Sequence, residues 1–270
     1  MSKVAFLALT DSSFQRDDIM KAFFNQADAD KYNLYIHNKT PLKSNNYFAK
    51  YAIPDSYKVE TQWAHYSLEL ATVKLMRYAL EHDSENSRFI LITDSHIPLQ
   101  NMTDTCRLIH ELFPVASFHI LGRQPYPNRN LEKFVDHSSN NPLMNVKCDL
   151  AFSQWFICNR DDAAAYVKAE PELRHHFNLK DNCFPDEYYF PLLTVHLGLK
   201  YQIRNHCYID WKNMTEASLI AKGYRNTPLT YQFVNTAFIY KLRQAGLLFL
   251  RKVHPHTSVD TRYIFQSMTP

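Results

Sequence analysis

The sequence predicts an α/β fold in which a mainly parallel mixed sheet is flanked by helices. Two strongly apolar segments, Val4–Leu9 and Arg88–Ile92, have the composition of strands that are buried on both faces. Between them, the apolar residues of Asp17–Gln26 recur at helical spacing. This alternation favours parallel pairing, because each connecting helix returns the chain to the same end of the sheet.

The next elements continue the alternation. Asn33–His37 predicts a second short strand, and the amphipathic segment Gln62–Glu81 predicts a long helix. Ser117–Leu121 predicts another strand. Ala151–Ile157 predicts a further strand that leads into Asn159–Asp162, a polar group typical of a helix N-terminus.

The remaining segments predict shorter elements. These are a long loop, a helix, a short or edge strand, an amphipathic segment and a closing apolar segment: Pro125–Asn145, Leu192–Leu199, Cys207–Trp211, Tyr231–Gln244 and Leu247–Val253. No repeat, linker or break in composition divides the chain, so we expect residues 1–270 to form a single domain.

Composition excludes several classes of protein. A hydrophobic content of 46% with 14% aromatic residues indicates a globular protein, and a formal charge of +3 is too small to indicate a nucleic-acid partner. The four glycines cannot build a glycine-rich phosphate loop, so side chains or single amides must hold any phosphate.

The cysteines and the N-terminal segment bear on location. Five cysteines without CxxC spacing argue against a disulfide framework and a zinc site. The apolar run before Thr10 is too short for a signal peptide or a transmembrane segment. We therefore expect a cytoplasmic protein.

Polar residues at strand ends are the first candidates for a site. In sheets of this kind, ligands bind at the carboxyl ends of the strands. Thr10, His37 and the group Asp94–His96 follow predicted strands, so topology places them at that edge.

Pro185, Asp186 and Glu187 carry the strongest chemical signal. Proline disfavours helix in the residue before it, so the two carboxylates should lie in a turn that opens a helix. A carboxylate at the mouth of a partly apolar site can have a raised pKa, which suits a general base. The alternative is a helix N-terminus whose acidic side chains interact with the helix dipole.

Taken in order, the segments resemble the Core-2/I-branching glycosyltransferase family, including its plant and protein-xylosyltransferase relatives. The similarity extends over roughly residues 3–255, and it depends on the order of the motifs more than on any one of them. The segments are Phe6–Thr10, Leu34–His37, Trp63–Leu80, Phe89–Leu99, Ser153–Phe156, Pro185–Glu187, Tyr208–Trp211 and Leu248–Val253.

The resemblance implies a GT-A type Rossmann-like fold with a nucleotide-binding half, about 1–120, and an acceptor and catalytic half, about 121–270. It also implies inverting transfer of a sugar, xylose or N-acetylglucosamine, from a UDP-sugar to a glycan hydroxyl.

The resemblance also assigns roles to residues. In this family the glutamate of the Pro-Asp-Glu motif is the catalytic base, which here is Glu187. A basic residue near the C-terminal strand binds the donor diphosphate, here Lys252 with Arg251 beside it. Arg225 is the nearest candidate for a second family arginine, although its spacing does not match closely.

The resemblance suggests further binding residues. Thr10, His37, Asp94 and Ser95 are candidates for the nucleotide and sugar, although Asn38 replaces an acid that relatives often carry there. Candidates for the acceptor are Trp155, Asp186 and Asp210. Trp155 has a core aromatic as its alternative role, and Asp210 a structural acid at a strand end.

Two alternatives stay open. Asp94–His96 stands where metal-dependent GT-A enzymes place an Asp-x-Asp motif, so a Mn²⁺ or Mg²⁺ site is possible, although hard ions prefer oxygen to His ligands. The related family generally works without metal, so we expect no cofactor. The other alternative is a non-catalytic glycan-binding protein. The lack of a predicted anchor and of paired cysteines leads us to expect a cytoplasmic bacterial or viral enzyme.

Overall fold

The structure is a computed structural model that describes residues 2–26, 30–123, 142–145, 150–177, 185–210 and 228–266. Outside these ranges lie Arg225, Trp211 and most of the predicted Pro125–Asn145 loop.

The strands of the described residues are β1 Lys3–Thr10, β2 Tyr32–Asn38, β3 Asn86–Thr93, β4 Ile97–Pro98, β5 Ala116–Arg123, β6 Leu150–Asn159, β7 Tyr201–Ile203, β8 Cys207–Ile209, β9 Tyr231–Val234, β10 Phe249–Arg251 and β11 Val253–Val259. The helices are α1 Asp17–Phe24, α2 Ser67–His82, α3 Met102–Leu112, α4 Arg160–Leu173, α5 Tyr189–His196 and α6 Thr236–Gln244.

Within the described residues, the central sheet has six strands in the order β2-β1-β3-β6-β5-β7. Strand β1 pairs in parallel with β2 and β3, and β5 pairs in parallel with β7. Strand β6 runs antiparallel to both of its neighbours, β3 and β5. The mixed, helix-flanked sheet predicted from the sequence is confirmed.

Two smaller sheets complete the described fold. Strand β10 lies between β4 and β8, antiparallel to the first and parallel to the second. Strand β11 pairs in parallel with β9. Because β10 ends at Arg251 and β11 begins at Val253, Lys252 stands at the junction between the two sheets.

The core explains why the apolar segments fold as they do. Every residue of Val4–Leu9 is buried, since helices cover both faces of β1. The Phe6 ring packs edge-on against Phe23 and Phe24 of α1, with centroids 6.0 and 5.3 Å apart. Asn159 caps α4 by accepting a hydrogen bond from the Asp162 amide at 2.9 Å, and the Asp162 carboxylate accepts from the Asn159 amide.

Several predicted elements differ from the structure. The amphipathic segment Tyr231–Gln244 contains two elements, since its first four residues form β9 and Asn235 then caps α6 by accepting from the Phe238 amide at 2.7 Å. The long helix predicted from Gln62 begins only at Ser67. Helix α5 begins at Tyr189, three residues before its predicted start at Leu192.

Helix α3 was not predicted, although its sequence contains an N-terminal signal. Asn101 accepts a hydrogen bond from the Asp104 amide at 2.7 Å, which is the geometry of a capped helix start. Separately, no helix in the described ranges is long and apolar enough to cross a membrane.

Candidate active site

A cavity of about 450 Å³ lies at the carboxyl ends of β1, β2 and β3. It is the edge of the sheet at which α/β proteins bind ligands. Most of the predicted site residues line this one cavity: Thr10, His37, Asp94, Ser95, Trp155, Asp186, Glu187, Arg251 and Lys252.

The Pro185–Glu187 segment forms a single 3₁₀ turn directly before α5. The Tyr188 amide donates to the Pro185 carbonyl at 3.0 Å, which closes the turn. Strand β6 and helix α2 pack against it. The position of the turn therefore depends on the packing of β6 and α2 against it. In this position both carboxylates line the cavity.

The two carboxyl groups of the turn are half-buried, and this changes their acidity. Burial raises the pKa of Asp186 to about 6, against an opposing effect of the Arg251 charge. Burial raises the pKa of Glu187 to about 8, and the neighbouring Asp186 charge adds to the shift. Such a carboxylate is a far stronger base than a free one, so Glu187 is suited to accept a proton near neutral pH.

Arg251 and Lys252 supply positive charge to the same cavity. Burial lowers the pKa of both groups, while the negative charge of Asp94 acts in the opposite direction on each. Neither forms an ion pair with the described residues. Their charge is therefore available to an anionic ligand.

Trp155 lies beneath Arg251 and is only 3% exposed. The guanidinium lies over its ring at 4.7 Å from the centroid, and His96 packs against it edge-on at 4.4 Å. With its ring covered in this way, Trp155 offers little free face to a sugar. The geometry favours support of Arg251 over the predicted stacking on an acceptor.

Thr10 and His37 mark the end of the cavity formed by β1 and β2. The Thr10 hydroxyl donates to the Ser12 carbonyl at 3.0 Å. The Val59 amide donates to His37 Nε2 at 3.0 Å, and burial lowers the pKa of His37, so the ring is neutral. Asn38, where an acid was expected, turns away and donates to the Thr40 carbonyl at 2.9 Å.

Trp63 is a cavity residue that sequence reasoning misplaced. We predicted it on the apolar face of a helix, but it precedes α2 and is 73% exposed at the cavity rim. Ala64 beside it is buried with φ of +57°, a strained conformation for a residue with a side chain. The Gln62 amide donates to the Ser67 hydroxyl at 2.9 Å, which fixes this turn.

The remaining lining residues were not predicted as site residues, although some of them lie in the segments that carry the family resemblance. They are Asp11, Gln15, Lys39, Thr61, Gln62, Ser153 and Gln154, all polar, together with Leu9, Leu68, Thr93 and Pro228. The only signal in the sequence was their position after β1 and β2, before α2 or along β6. That signal is weak, because polar residues are common at such places.

Asp94 and His96 lie in different environments, since only Asp94 lines the cavity. Asp94 lines the cavity, and burial raises the pKa of its carboxyl against the opposing charges of Arg251 and Lys252. His96 does not line it and is 1% exposed, with Nδ1 accepting from the Thr93 amide at 3.0 Å. Among the described residues, no group of three His, Cys, Asp or Glu side chains could hold a metal ion.

Asp210 also differs from the other predicted acceptor residues. It does not line the cavity, and its carboxylate accepts from the Tyr231 hydroxyl at 3.0 Å. Its carbonyl accepts from the Leu229 amide at 2.9 Å. These contacts favour the structural alternative, a polar residue that ties the end of β8 to the segment before β9.

Comparison with known proteins agrees with this geometry. The family described as "Core-2/I-Branching enzyme" matches residues 4–242, which is most of the chain. The chain is also 22% identical over 268 residues to "Glycosyltransferase BC10" of Oryza sativa subsp. japonica. That match covers 86% of this chain and 62% of the relative, so the chain spans less than two thirds of the relative's length.

The chain belongs to the Core-2/I-branching family, and the resemblance read from the sequence is confirmed. Its α/β fold, with a mixed six-stranded sheet flanked by helices, agrees with the GT-A class.

Proposed function

We propose that this family member transfers a sugar, xylose or N-acetylglucosamine, from a UDP-sugar to a glycan hydroxyl, with inversion and without a metal ion. One observation carries the proposal: a single cavity contains two carboxyls of raised pKa together with two cations that form no ion pair with the described residues. Inverting transfer needs a base for the acceptor and positive charge for the departing diphosphate.

Glu187 acts as the base. Its ionised carboxylate takes the proton of the acceptor hydroxyl as that oxygen attacks the anomeric carbon of the donor. The bond between this carbon and the diphosphate oxygen breaks on the opposite face, so the configuration inverts and UDP leaves. The raised pKa of Glu187 supports this role, because a weaker acid is a stronger base.

Lys252 and Arg251 neutralise the leaving diphosphate. Two cations with no ion pair in the described residues can meet the charge that develops on the phosphate oxygens. No glycine-rich loop exists to do this with backbone amides. Trp155 supports the step by holding the Arg251 guanidinium against its ring.

The nucleoside occupies the end formed by β1 and β2. Thr10 and the neutral His37 lie there, and the ring of Trp63, which is 73% exposed at the rim, is suited to covering a flat base. Asp94 interacts electrostatically with Asp11, just after β1, and with both cations, so we assign it and the neighbouring Ser95 to ribose or sugar hydroxyls. Asp186 remains our acceptor contact beside Glu187, and Arg225 remains a prediction.

We also propose a cytoplasmic location. The cysteines Cys106, Cys158 and Cys207, which lie in the described residues, are free and buried, which suits a reducing compartment. Fractionation of cells that make the native protein would test the location directly.

The test is UDP release over a panel of UDP-sugars, with and without EDTA, for the wild type and for Glu187→Gln. Release from one donor that is insensitive to EDTA and lost in the variant is the expected result. Loss of release with EDTA would instead assign the diphosphate to a metal ion held by Asp94, the favoured rival because that carboxyl lines the cavity.

A wild type that releases no UDP requires a second measurement. Calorimetry with each UDP-sugar then separates an enzyme that lacks its acceptor from a protein that binds no donor. Glycan binding that persists in Glu187→Gln, with no turnover in any condition, would overturn the proposal in favour of a glycan-binding protein.

A further inference from the structure

Glu69 is a carboxyl group in the protein interior behind the Pro185–Glu187 turn. It lies in the first turn of α2, is 2% exposed and does not line the cavity. Helix α2 packs against the turn and against α4. In the described part of the chain, Glu69 Oε2 has no hydrogen-bond partner. The mechanism proposed above makes no use of this group.

A second buried acid nearby shows what a satisfied carboxyl looks like. Glu170 of α4 is 4% exposed, and it accepts a hydrogen bond from the Tyr66 hydroxyl at 2.8 Å. Arg174 lies 4.0 Å from the same oxygen. Among the described residues, Glu69 has no comparable cation to compensate its charged form.

The ionisable neighbours of Glu69 come from three elements. Asp186 faces it from the turn, and Tyr189 from α5 interacts with it electrostatically. Arg251 of β10 interacts with Asp186 and so acts from the far side. The strands β1 and β3, which also pack against α2, bury the apolar runs Val4–Leu9 and Phe89–Ile92. Burial, and then the charge of Asp186, raise the pKa of Glu69 well above its usual range, so the group is neutral.

Asp186 has the complementary group, a hydrogen-bond acceptor without a partner in the described residues. Its Oδ1 atom is buried and accepts no hydrogen bond from the described residues. A neutral carboxyl has one proton to donate, whereas a carboxylate oxygen only accepts. The neutral Glu69 carboxyl can therefore donate to Asp186 Oδ1. A hydrogen bond between them would offset the free-energy cost of burying two unpaired polar groups.

We propose that Glu69 is a positioning residue whose neutral carboxyl donates a hydrogen bond to Asp186, directly or through one water, and keeps Asp186 ionised beside Glu187. The consequence concerns the base. An ionised Asp186 repels negative charge on Glu187 and makes that carboxylate a stronger base. This inference rests on the proposed role of Glu187.

The experiment compares Glu69→Gln, which keeps a donor, with Glu69→Leu, which removes it. Glu170→Gln is the matched control, since it neutralises a buried acid that already has partners. The first readout is the pH profile of kcat/KM for UDP release. We expect Glu69→Leu to shift the acid limb down by roughly half a pH unit or more, because Asp186 then ionises less readily. Glu69→Gln and Glu170→Gln should leave the limb in place.

The second readout needs neither donor nor acceptor. Urea unfolding is measured for the wild type and Glu69→Gln between about pH 5 and about pH 8. A carboxyl whose pKa is raised on folding binds more protons in the native state, so the wild type loses stability as pH rises above the unfolded pKa. Glu69→Gln has no such loss, and its stability relative to the wild type should therefore increase with pH.

The two readouts separate the two hypotheses. A wild type that neither releases UDP nor binds any UDP-sugar overturns the proposed function, while the unfolding measurement still tests the role of Glu69. A pH-independent stability difference between Glu69→Gln and the wild type overturns the inference, because Glu69 would then be ionised as in water. Equal acid limbs for Glu69→Gln and Glu69→Leu also overturn it, since the donor would have no effect on Glu187.

Discussion

The basic and acidic walls of the cavity are held in different ways. The basic wall consists of Arg251, the last residue of β10, and Lys252, which follows it. Backbone hydrogen bonds fix the register of β10 with two neighbouring strands, and the Trp155 ring supports Arg251. The acidic wall, Asp186 and Glu187, lies on one short turn that is held by the packing of α2 and β6. The basic wall should therefore tolerate changes elsewhere, and the acidic wall should respond to its buried neighbours.

Replacing the base should have the largest effect on the acidic wall. Glu187→Gln should lower kcat by roughly 10²–10⁴-fold, the usual contribution of a general base, and leave the Kd for the UDP-sugar nearly unchanged. Steady-state kinetics and calorimetry measure the two quantities. A comparable loss of donor affinity would mean that the turn itself had moved, and the distinction between the walls would fail.

The pH profile tests the same wall without a mutation. Glu187 must be ionised to accept a proton, so kcat/KM should fall about tenfold per pH unit below the pKa of about 8 and level off above it. Initial rates of UDP release across the pH range give the profile. An acid limb near pH 4, the value of a free carboxyl, would show that burial does not tune this group.

Lys252→Met tests the basic wall. Removing one cation that faces the leaving diphosphate should lower kcat/KM by roughly 10²-fold, with no change in the acid limb of the pH profile. The same variant assayed with EDTA is the control for metal rescue. A shift of the acid limb would mean that Lys252 also acts on Glu187, and the two walls could then not be treated separately.

Trp155 should give the smallest effect, because it acts only through Arg251. Trp155→Leu removes a cation–π contact worth about 1–2 kcal/mol, so the Kd for UDP should rise by roughly tenfold. Trp155→Phe retains an aromatic face and should recover most of the loss. If the acceptor KM rises while the Kd for UDP is unchanged, the sugar-stacking role inferred from the resemblance is correct.

The difference between the walls also explains what the sequence could predict. Strands such as Val4–Leu9 are buried on both faces, so their composition alone identifies them, and residues at their ends fall into the cavity by topology. Asp186 and Glu187 were identified by a short motif and a family resemblance. Their roles, like those of the other site residues, remain predictions.

The missed features depend on contacts that a linear pattern does not contain. Trp63 has the spacing of a buried helical residue, yet Ala64 bends the chain and leaves the ring exposed. His96 lies two residues after Asp94 in sequence, but its ring packs against Trp155. Glu69 stands among apolar residues of α2, and only the packing of that helix reveals its neighbour Asp186.

The reliance on side-chain cations has a kinetic consequence. A glycine-rich loop holds phosphate through neutral amides, whereas Arg251 and Lys252 attract it by net charge from inside a cavity. Dissolved ions screen that attraction while the donor is still distant, but much less once it is seated between partly buried groups. We therefore expect ionic strength to slow the arrival of the donor while changing its residence time little.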